Sequence, residues 1–219
     1  MKYFFTVLST LIYMSSFSQY DPEAKTHLDK LSAAFKSYTS FEASFTYHLD
    51  GPSDLDEKYA GTITVKGDNF KLTTDNGMDV VCDGSNICNF NKEDEEVTMY
   101  EYDTSEDGIM TPTKVADMYK DGYRYRMIEG VTLGGVACYG VELSPDLSPQ
   151  ERDKEPVTKI KLYIKKTDGT LKRWQIFERT GNKYTVTINS LKPNVTTTSM
   201  TFKCAKDAFP EGIDFNDLR

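Results

Sequence analysis

Histidine is scarce in this chain: His27 and His48 are the only two in 219 residues. Two imidazoles leave little room for Ser-His-Asp chemistry, and neither has a second metal ligand at a local spacing. G-x-S-x-G, H-E-x-x-H and P-loop patterns are absent, so the familiar signatures of hydrolases, zinc peptidases and nucleotide enzymes do not apply. No C-x-x-C pair occurs, which argues against a zinc site; the sequence calls for no cofactor and reads as a non-enzyme. The acidic run Glu93-Asp94-Glu95-Glu96 lacks the alternating ligands and glycine of a calcium loop and reads as a solvated turn. Long hydrophobic runs are missing after the first residues, and nothing later approaches the ~18 apolar residues of a membrane helix. Repeats, low-complexity stretches and composition breaks are missing too, so one domain is expected.

The first eighteen residues have the layout of a secretory signal. Lys2 gives the positive start, Phe4 to Met14 form a short apolar core, and Ser16 and Ser18 place small residues before a cut at Gln19. Residues 19–219 are then an exported, soluble domain. The net charge is −8, and losing Lys2 with the leader makes it one unit more negative. Such a balance repels phosphate backbones and anionic headgroups, so nucleic acid is excluded as a partner.

What the chain has in abundance is one-sided strand pattern. Phe41, Ala43, Phe45, Tyr47 and Leu49 alternate with Glu42, Ser44, Thr46 and His48, which gives one apolar, aromatic face and one wet face. The pattern returns at Tyr59 to Val65, Phe70 and Leu72, Val80 to Cys82, Ile87 to Phe90 and Val97 to Tyr102. It resumes at Tyr123 to Met127, Val136 to Leu143, Ile160 to Ile164, Leu171 to Phe177 and Tyr184 to Ile188, with a last strand around Phe202. Lys66-Gly67-Asp68-Asn69, Asp83-Gly84 and Asp168-Gly169 supply hairpin turns. Ser144 to Pro156 reads as a long exposed loop. Two helices are predicted: Pro22 to Tyr38, with Asp21 as cap, and a second opened by Thr111-Pro112-Thr113. A large antiparallel sheet with so little helix over its apolar face must curl on itself or hold something apolar.

Cys82, Cys88, Cys138 and Cys204 permit two disulfides in any of three pairings in an exported chain. A bridge from Cys82 to Cys88 across the Asp83-Gly84-Ser85-Asn86 turn, with Cys138 joined to Cys204, is one expectation. Four buried free thiols are the alternative.

The order of these pieces resembles the LolA-type periplasmic lipoprotein carriers. Thr39-Ser40-Phe41-Glu42-Ala43-Ser44-Phe45-Thr46 looks like that family's first strand, and Gly61-Thr62-Ile63-Thr64-Val65-Lys66 like its second. Val80-Val81-Cys82-Asp83-Gly84-Ser85-Asn86-Ile87 resembles its Asp-Gly hairpin, and Thr201-Phe202 with Asp217-Leu218-Arg219 its end. The resemblance implies a mainly β fold with some α: a single unclosed antiparallel barrel of about 11 strands, with a helical lid over an apolar cavity. It also implies a monomer in the periplasm whose partners are acylated lipoproteins, an inner-membrane lipoprotein-releasing ABC transporter and an outer-membrane acceptor. Two departures stand out. Many family members carry Lys-Arg-Pro after the second strand, where the arginine latches the lid; here the stretch is Lys66-Gly67-Asp68. Cys88 takes the place of a family aromatic.

On this reading Phe41, Phe45, Tyr47, Ile63, Val65, Phe70, Leu72, Phe90, Met99, Tyr125, Met127, Leu162 and Ile164 line the cavity. Leu28, Leu31, Phe35, Val115, Met118 and Tyr119 form the lid. Each of these side chains can equally be ordinary core; the scarcity of helix favours the cavity for the set. A binding or sensing module of the same fold, reading lipids or unfolded envelope proteins without transporting them, is the alternative function.

Overall fold

The computed structural model describes residues 20–103 and 110–219; the expected leader and its cut lie outside the described residues. Helix α1 (Pro22–Ser37) begins where Asp21 caps it, one carboxylate oxygen accepting from the backbone N–H groups of Glu23 and Ala24. Pro22 sits at the first helical position, where its missing N–H is not needed. Ala24, Leu28, Leu31 and Phe35 recur at helical spacing and are buried. Burying a leucine side chain contributes roughly 1.5–3 kcal/mol, so this stripe fastens α1 to the sheet. Its cap binds a strand as well: the second Asp21 oxygen accepts from Met127 N at 3.0 Å, and Asp21 N donates to Tyr125 O at 3.0 Å.

Twelve strands follow: β1 (Phe41–Asp50), β2 (Asp56–Lys66), β3 (Asn69–Thr74), β4 (Met78–Cys82), β5 (Asn86–Asn91), β6 (Glu96–Glu101), β7 (Tyr123–Leu133), β8 (Val136–Pro145), β9 (Val157–Lys165), β10 (Leu171–Glu178), β11 (Lys183–Pro193) and β12 (Asp214–Asp217). They form one sheet in the order β12-β6-β5-β4-β3-β2-β1-β11-β10-β9-β8-β7. Among the described residues β7 and β12 remain its two edges, so the sheet curls without closing. Register shifts at Ser44/Phe45, Ile128/Val131 and Phe177/Glu178 supply local bends. Gly67, at φ 59°, gives the two-residue β2–β3 turn the left-handed position it needs. Helix α2 (Pro112–Asp117) and the 3-10 turn Met118–Lys120 lie with α1 over the inner face.

Four details differ from the sequence expectations. The final strand is not at Phe202, which is buried in a 3-10 turn (Ser199–Phe202); Thr198 and Thr201 bond to one another and hold that turn, an alternative to a strand ladder. β12 comes later and runs parallel to β6, the one parallel pairing in the sheet as described. The expected loop at 144–156 contains a short helix, α3 (Pro149–Arg152), because Ser148 and Glu151 form a reciprocal capping box. The fourth concerns the cysteines. The disulfide joins Cys88 to Cys204, while Cys82 and Cys138 are buried and outside it. Cys82 faces Ile87 across the ladder and Val81 faces Cys88, so Cys82 and Cys88 point to opposite sides of the sheet and cannot be bridged. Cys138 lies on β8, in the other wing of the sheet from β5, where Cys204 is held.

That disulfide marks a second apolar layer. The outward faces of β4–β6 carry Val81, Cys88, Val97 and Met99, with Phe90 packed against them. The C-terminal segment covers this patch with Cys204, Phe209, Ile213 and Phe215. Among the described residues no helix is long and apolar enough to cross a membrane.

Candidate functional site: an apolar cavity under a helical lid

Inward-facing positions of six strands surround a cavity of about 570 Å³. β1 contributes Ala43, Phe45 and Tyr47; β2 contributes Tyr59 and Ile63; β3 adds Leu72. The facing wall comes from Val157 and Ile160 of β9, Trp174, Ile176 and Glu178 of β10, and Tyr184, Val186 and Ile188 of β11. Met110, Pro112 and Met118 close it from the α2 side. Gly61 is required for this packing. It lies opposite Phe45 in the β1–β2 ladder, and a Cβ there would sit 2.7 Å from the Phe45 ring tip and from Thr73 O. The missing side chain lets the ring lie flat across β2.

One end of the cavity is polar. Tyr47 and Tyr59 stack at 4.4 Å between ring centroids, with Tyr184 6.5 Å from Tyr47. Burial pushes the hydroxyls of Tyr47, Tyr59 and Tyr184 above the usual phenol range, so all three stay neutral at physiological pH. Among the described residues Glu178 is the single charged member of the lining, and its carboxylate accepts from Asn182 Nδ2 at 3.1 Å and Thr180 Oγ1 at 3.0 Å. The rest of the lining is hydrocarbon, aromatic ring or thioether. Such a wall suits a ligand whose bound part is apolar.

The lid is fastened by polar contacts between α1 and the α2 region. Tyr119 Oη donates to Asp29 Oδ1 at 2.6 Å, and Ser32 Oγ donates to Asp117 Oδ1 at 2.5 Å. Lys36 lies 3.3 Å from Asp117, and Lys120 pairs with it as well. Burial pushes the Asp117 carboxyl up, but bonds from Lys120, Ser32 and Lys36 outweigh it and hold the group below the usual range. This cluster sits where helix meets helix, whereas Gly67 occupies an open turn with nothing within 4 Å of its Cβ position.

Of the residues expected to line the cavity, Phe45, Tyr47, Ile63 and Leu72 do so, and Met118 reaches it from the lid. Phe41, Val65, Phe70, Leu162 and Ile164 share the inner face but are consumed in solid packing beside it. Met127 is half-buried against that core. Tyr125 packs edge-on against Tyr119 and Tyr20, at 5.9 and 5.4 Å, outside the cavity. Phe90 and Met99 belong on the other side of the sheet, in the layer under the C-terminal segment; Ile87 and Tyr100 take the inner positions of those strands. Leu28, Leu31, Phe35, Val115 and Tyr119 bind the lid to the core rather than touching the cavity. Trp174, Ile176, Tyr184, Val186 and Ile188 were not anticipated as lining, although their period-two spacing in β10 and β11 carries the same signal as β1. His48 bonds to Asp56 on the wet face at 2.6 Å, and His27 stacks on Tyr139 at 4.0 Å.

No family model matches this sequence, and no curated protein matches it. Solved structures do match. An uncharacterized conserved protein from Thermus thermophilus aligns over 89% of this chain and 99% of its own, at 10% identity and a TM-score of 0.57. The Mycobacterium tuberculosis lipoprotein LppX aligns over 81% of this chain and 100% of its own, at 14% identity and 0.51. A LolA superfamily protein from Nitrosomonas europaea also aligns, over 83% and 97%, at 10% identity and 0.41. At these identities the likeness to the first two is one of fold: an unclosed, curled sheet with helices over its inner face.

Proposed function

We propose that this protein is a carrier that shelters acyl chains, in the role of a periplasmic lipoprotein shuttle between an inner-membrane releasing transporter and an outer-membrane acceptor. The observation that carries the reading is the cavity itself: about 570 Å³, apolar apart from one end, beneath helices held by side-chain bonds. Each methylene taken out of water gains about 0.8 kcal/mol, so an unsheltered chain aggregates or inserts into the nearest bilayer. A methylene is close to water in size, and at about 30 Å³ apiece the cavity has room for roughly 20 such groups. That is one long chain. A second or third chain of the same cargo requires the lid to lift. Flexible methionines at the lid side, Met110 and Met118, suit a lining that repacks around chains of varied shape.

The test is capture of a synthetic acylated lipopeptide by purified protein, comparing wild type with Phe45→Ser and Tyr47→Ser. Tyr47→Ser is expected to weaken capture about ten-fold, equivalent to ~1.4 kcal/mol, while the melting temperature moves by only a few degrees. Variants that melt early yet capture normally per folded molecule would assign these rings to stability alone. Depletion in the source cell, followed by membrane fractionation, tests the route: lipoproteins reaching the outer membrane at the normal rate would exclude it.

A further inference from the structure

Beside the cavity lies a second concavity of about 490 Å³, and four arginines line it: Arg124, Arg126, Arg152 and Arg179. Glu142 and Glu155 are the acidic members of its wall. This is a concentration of positive charge in a chain of net −8. It is part of a wider asymmetry. Residues 122–193 hold 13 Lys and Arg against 8 Asp and Glu, whereas residues 41–121 hold 6 against 19.

Backbone oxygens hold three of the guanidinium groups, Arg124, Arg152 and Arg179, and carboxylates lie beside Arg124, Arg126 and Arg179. Arg124 donates to Pro145 O at 3.3 Å, Arg152 to Leu147 O at 3.4 Å, and Arg179 to Arg152 O. Arg124 Nε lies 3.2 Å from Asp146, and Arg179 is 4.0 Å from Asp153. Arg126 alone is gripped tightly by a carboxylate, through two bonds to Glu142 at 3.1 and 2.6 Å. A planar fork of five donors with one or two engaged retains others for an incoming anion.

Position gives the cluster its meaning. Val157 lines both concavities, so they meet at a single residue. Glu178 pairs with Val157 across the β9–β10 ladder, and Arg179 follows it in the chain, so the arginines stand at the polar end of the cavity. Glu178 repels an anion from the tyrosine side of that end, and the arginines attract it on the Val157 side. We infer that the protein takes an amphiphile with an anionic head, its chain in the apolar cavity and its phosphate, sulfate or carboxylate on the Arg152–Arg179 side of the groove. This rests on the acyl-sheltering reading and narrows the cargo to anionic amphiphiles.

The experiment uses the full exported chain and its one tryptophan, Trp174, which lines the cavity and reports an entering chain by fluorescence. The probes are hexadecyl phosphate, hexadecanol and inorganic phosphate, each below its aggregation limit. Hexadecyl phosphate is expected to bind about ten-fold more tightly than hexadecanol at low salt, with the ratio shrinking as salt rises. The pair Arg152→Gln and Arg179→Gln should abolish the ratio and leave hexadecanol binding as it was. Equal affinity for the two amphiphiles, or a preference that survives both substitutions, overturns the headgroup site and leaves acyl sheltering standing. Failure of both amphiphiles to bind removes the acyl-sheltering reading, and this inference with it. Inorganic phosphate binding as tightly as hexadecyl phosphate, by calorimetry, would assign the groove to a free anion and overturn the lipid form of the proposal.

Discussion

On the β4–β6 wing of the sheet both faces are apolar; on the β7–β10 wing only the inner face is. The outward row across β4, β5 and β6 reads Val81, Cys88, Met99, whereas the outward row across β7 to β10 reads Arg126, Glu142, Lys161, Gln175. The first needs a cover, and the C-terminal segment provides it. Phe209 packs on Phe90 at 5.6 Å, β12 pairs with β6, and Cys88–Cys204 fixes the segment across a separation of 116 residues. The second row needs none: its charge faces water, and two of its members, Arg126 and Glu142, form part of the arginine groove. Both wings turn the same kind of inner face toward the lid. One outer face is therefore used for stability and the other stays free for chemistry at the end of the cavity.

The sharpest way to break this contrast is to release the tail. Replacing Cys88 and Cys204 together by serine removes a constraint on a loop of over one hundred residues, for which the chain-entropy estimate is about 4–5 kcal/mol. The unfolding free energy in denaturant should fall by about 2–5 kcal/mol, and the tail should become open to proteolysis. Chain binding, followed through Trp174, should hardly change, because none of the tail residues lines the cavity. A cavity that empties along with the tail would show that the wings are not separate in function.

The same contrast explains what could be read from the residues alone. β1 was legible because Phe41 to Leu49 is apolar on one parity and polar on the other, which fixes both strand and face. β5 and β6 were not, because Ile87 and Cys88, or Met99 and Tyr100, are apolar on both parities; period two reveals a strand there without saying which side is in. Phe90 and Met99 were misplaced for that reason. The disulfide depends on which face each cysteine occupies and on a contact spanning half the chain, neither of which local spacing carries. The cavity's far wall was a different kind of miss. Trp174, Ile176, Tyr184 and Val186 alternate clearly, but only the pairing of β11 with β1 brings them opposite Phe45 and Tyr47. The mainly β class depended on periodicity and turn chemistry, both of which are local; that the sheet stays unclosed was implied only by the resemblance to the LolA-type carriers.

A smaller effect tests how the lid is joined to the cationic wing. Asp21 caps α1 and accepts from Met127 N of β7, and these backbone bonds, Met127 first, hold its carboxyl below the usual range despite some burial. A carboxyl with a depressed native pKa contributes stability above its unfolded value, near 3.8, and loses it as pH falls through the native one. Asp21→Ala should cost about 1–2 kcal/mol near neutrality. The gap between wild type and variant should narrow in acid, below about pH 4. Melting curves across that range check the sign; a gap that stays constant into strong acid would mean the carboxylate charge contributes nothing.

The smallest predicted change concerns the latch. Tyr119→Phe deletes one hydroxyl, leaves the ring packed, and leaves Asp29 with its partner Lys25 at 2.7 Å. Burial and the Asp29 bond keep that hydroxyl protonated, its pKa raised, so the latch does not loosen over ordinary pH changes. Losing such a bond is worth about 1 kcal/mol, or about five-fold in a rate. If chain entry waits on the lid, stopped-flow traces of Trp174 fluorescence should show association and release both faster by roughly that factor, with affinity almost unchanged. The reason is that the variant alters the barrier, while the cavity wall that holds the chain keeps every residue. Rates identical to wild type would mean that chains enter by the tyrosine end without lifting α2, and would move the gate from the helices to the mouth beside the arginines.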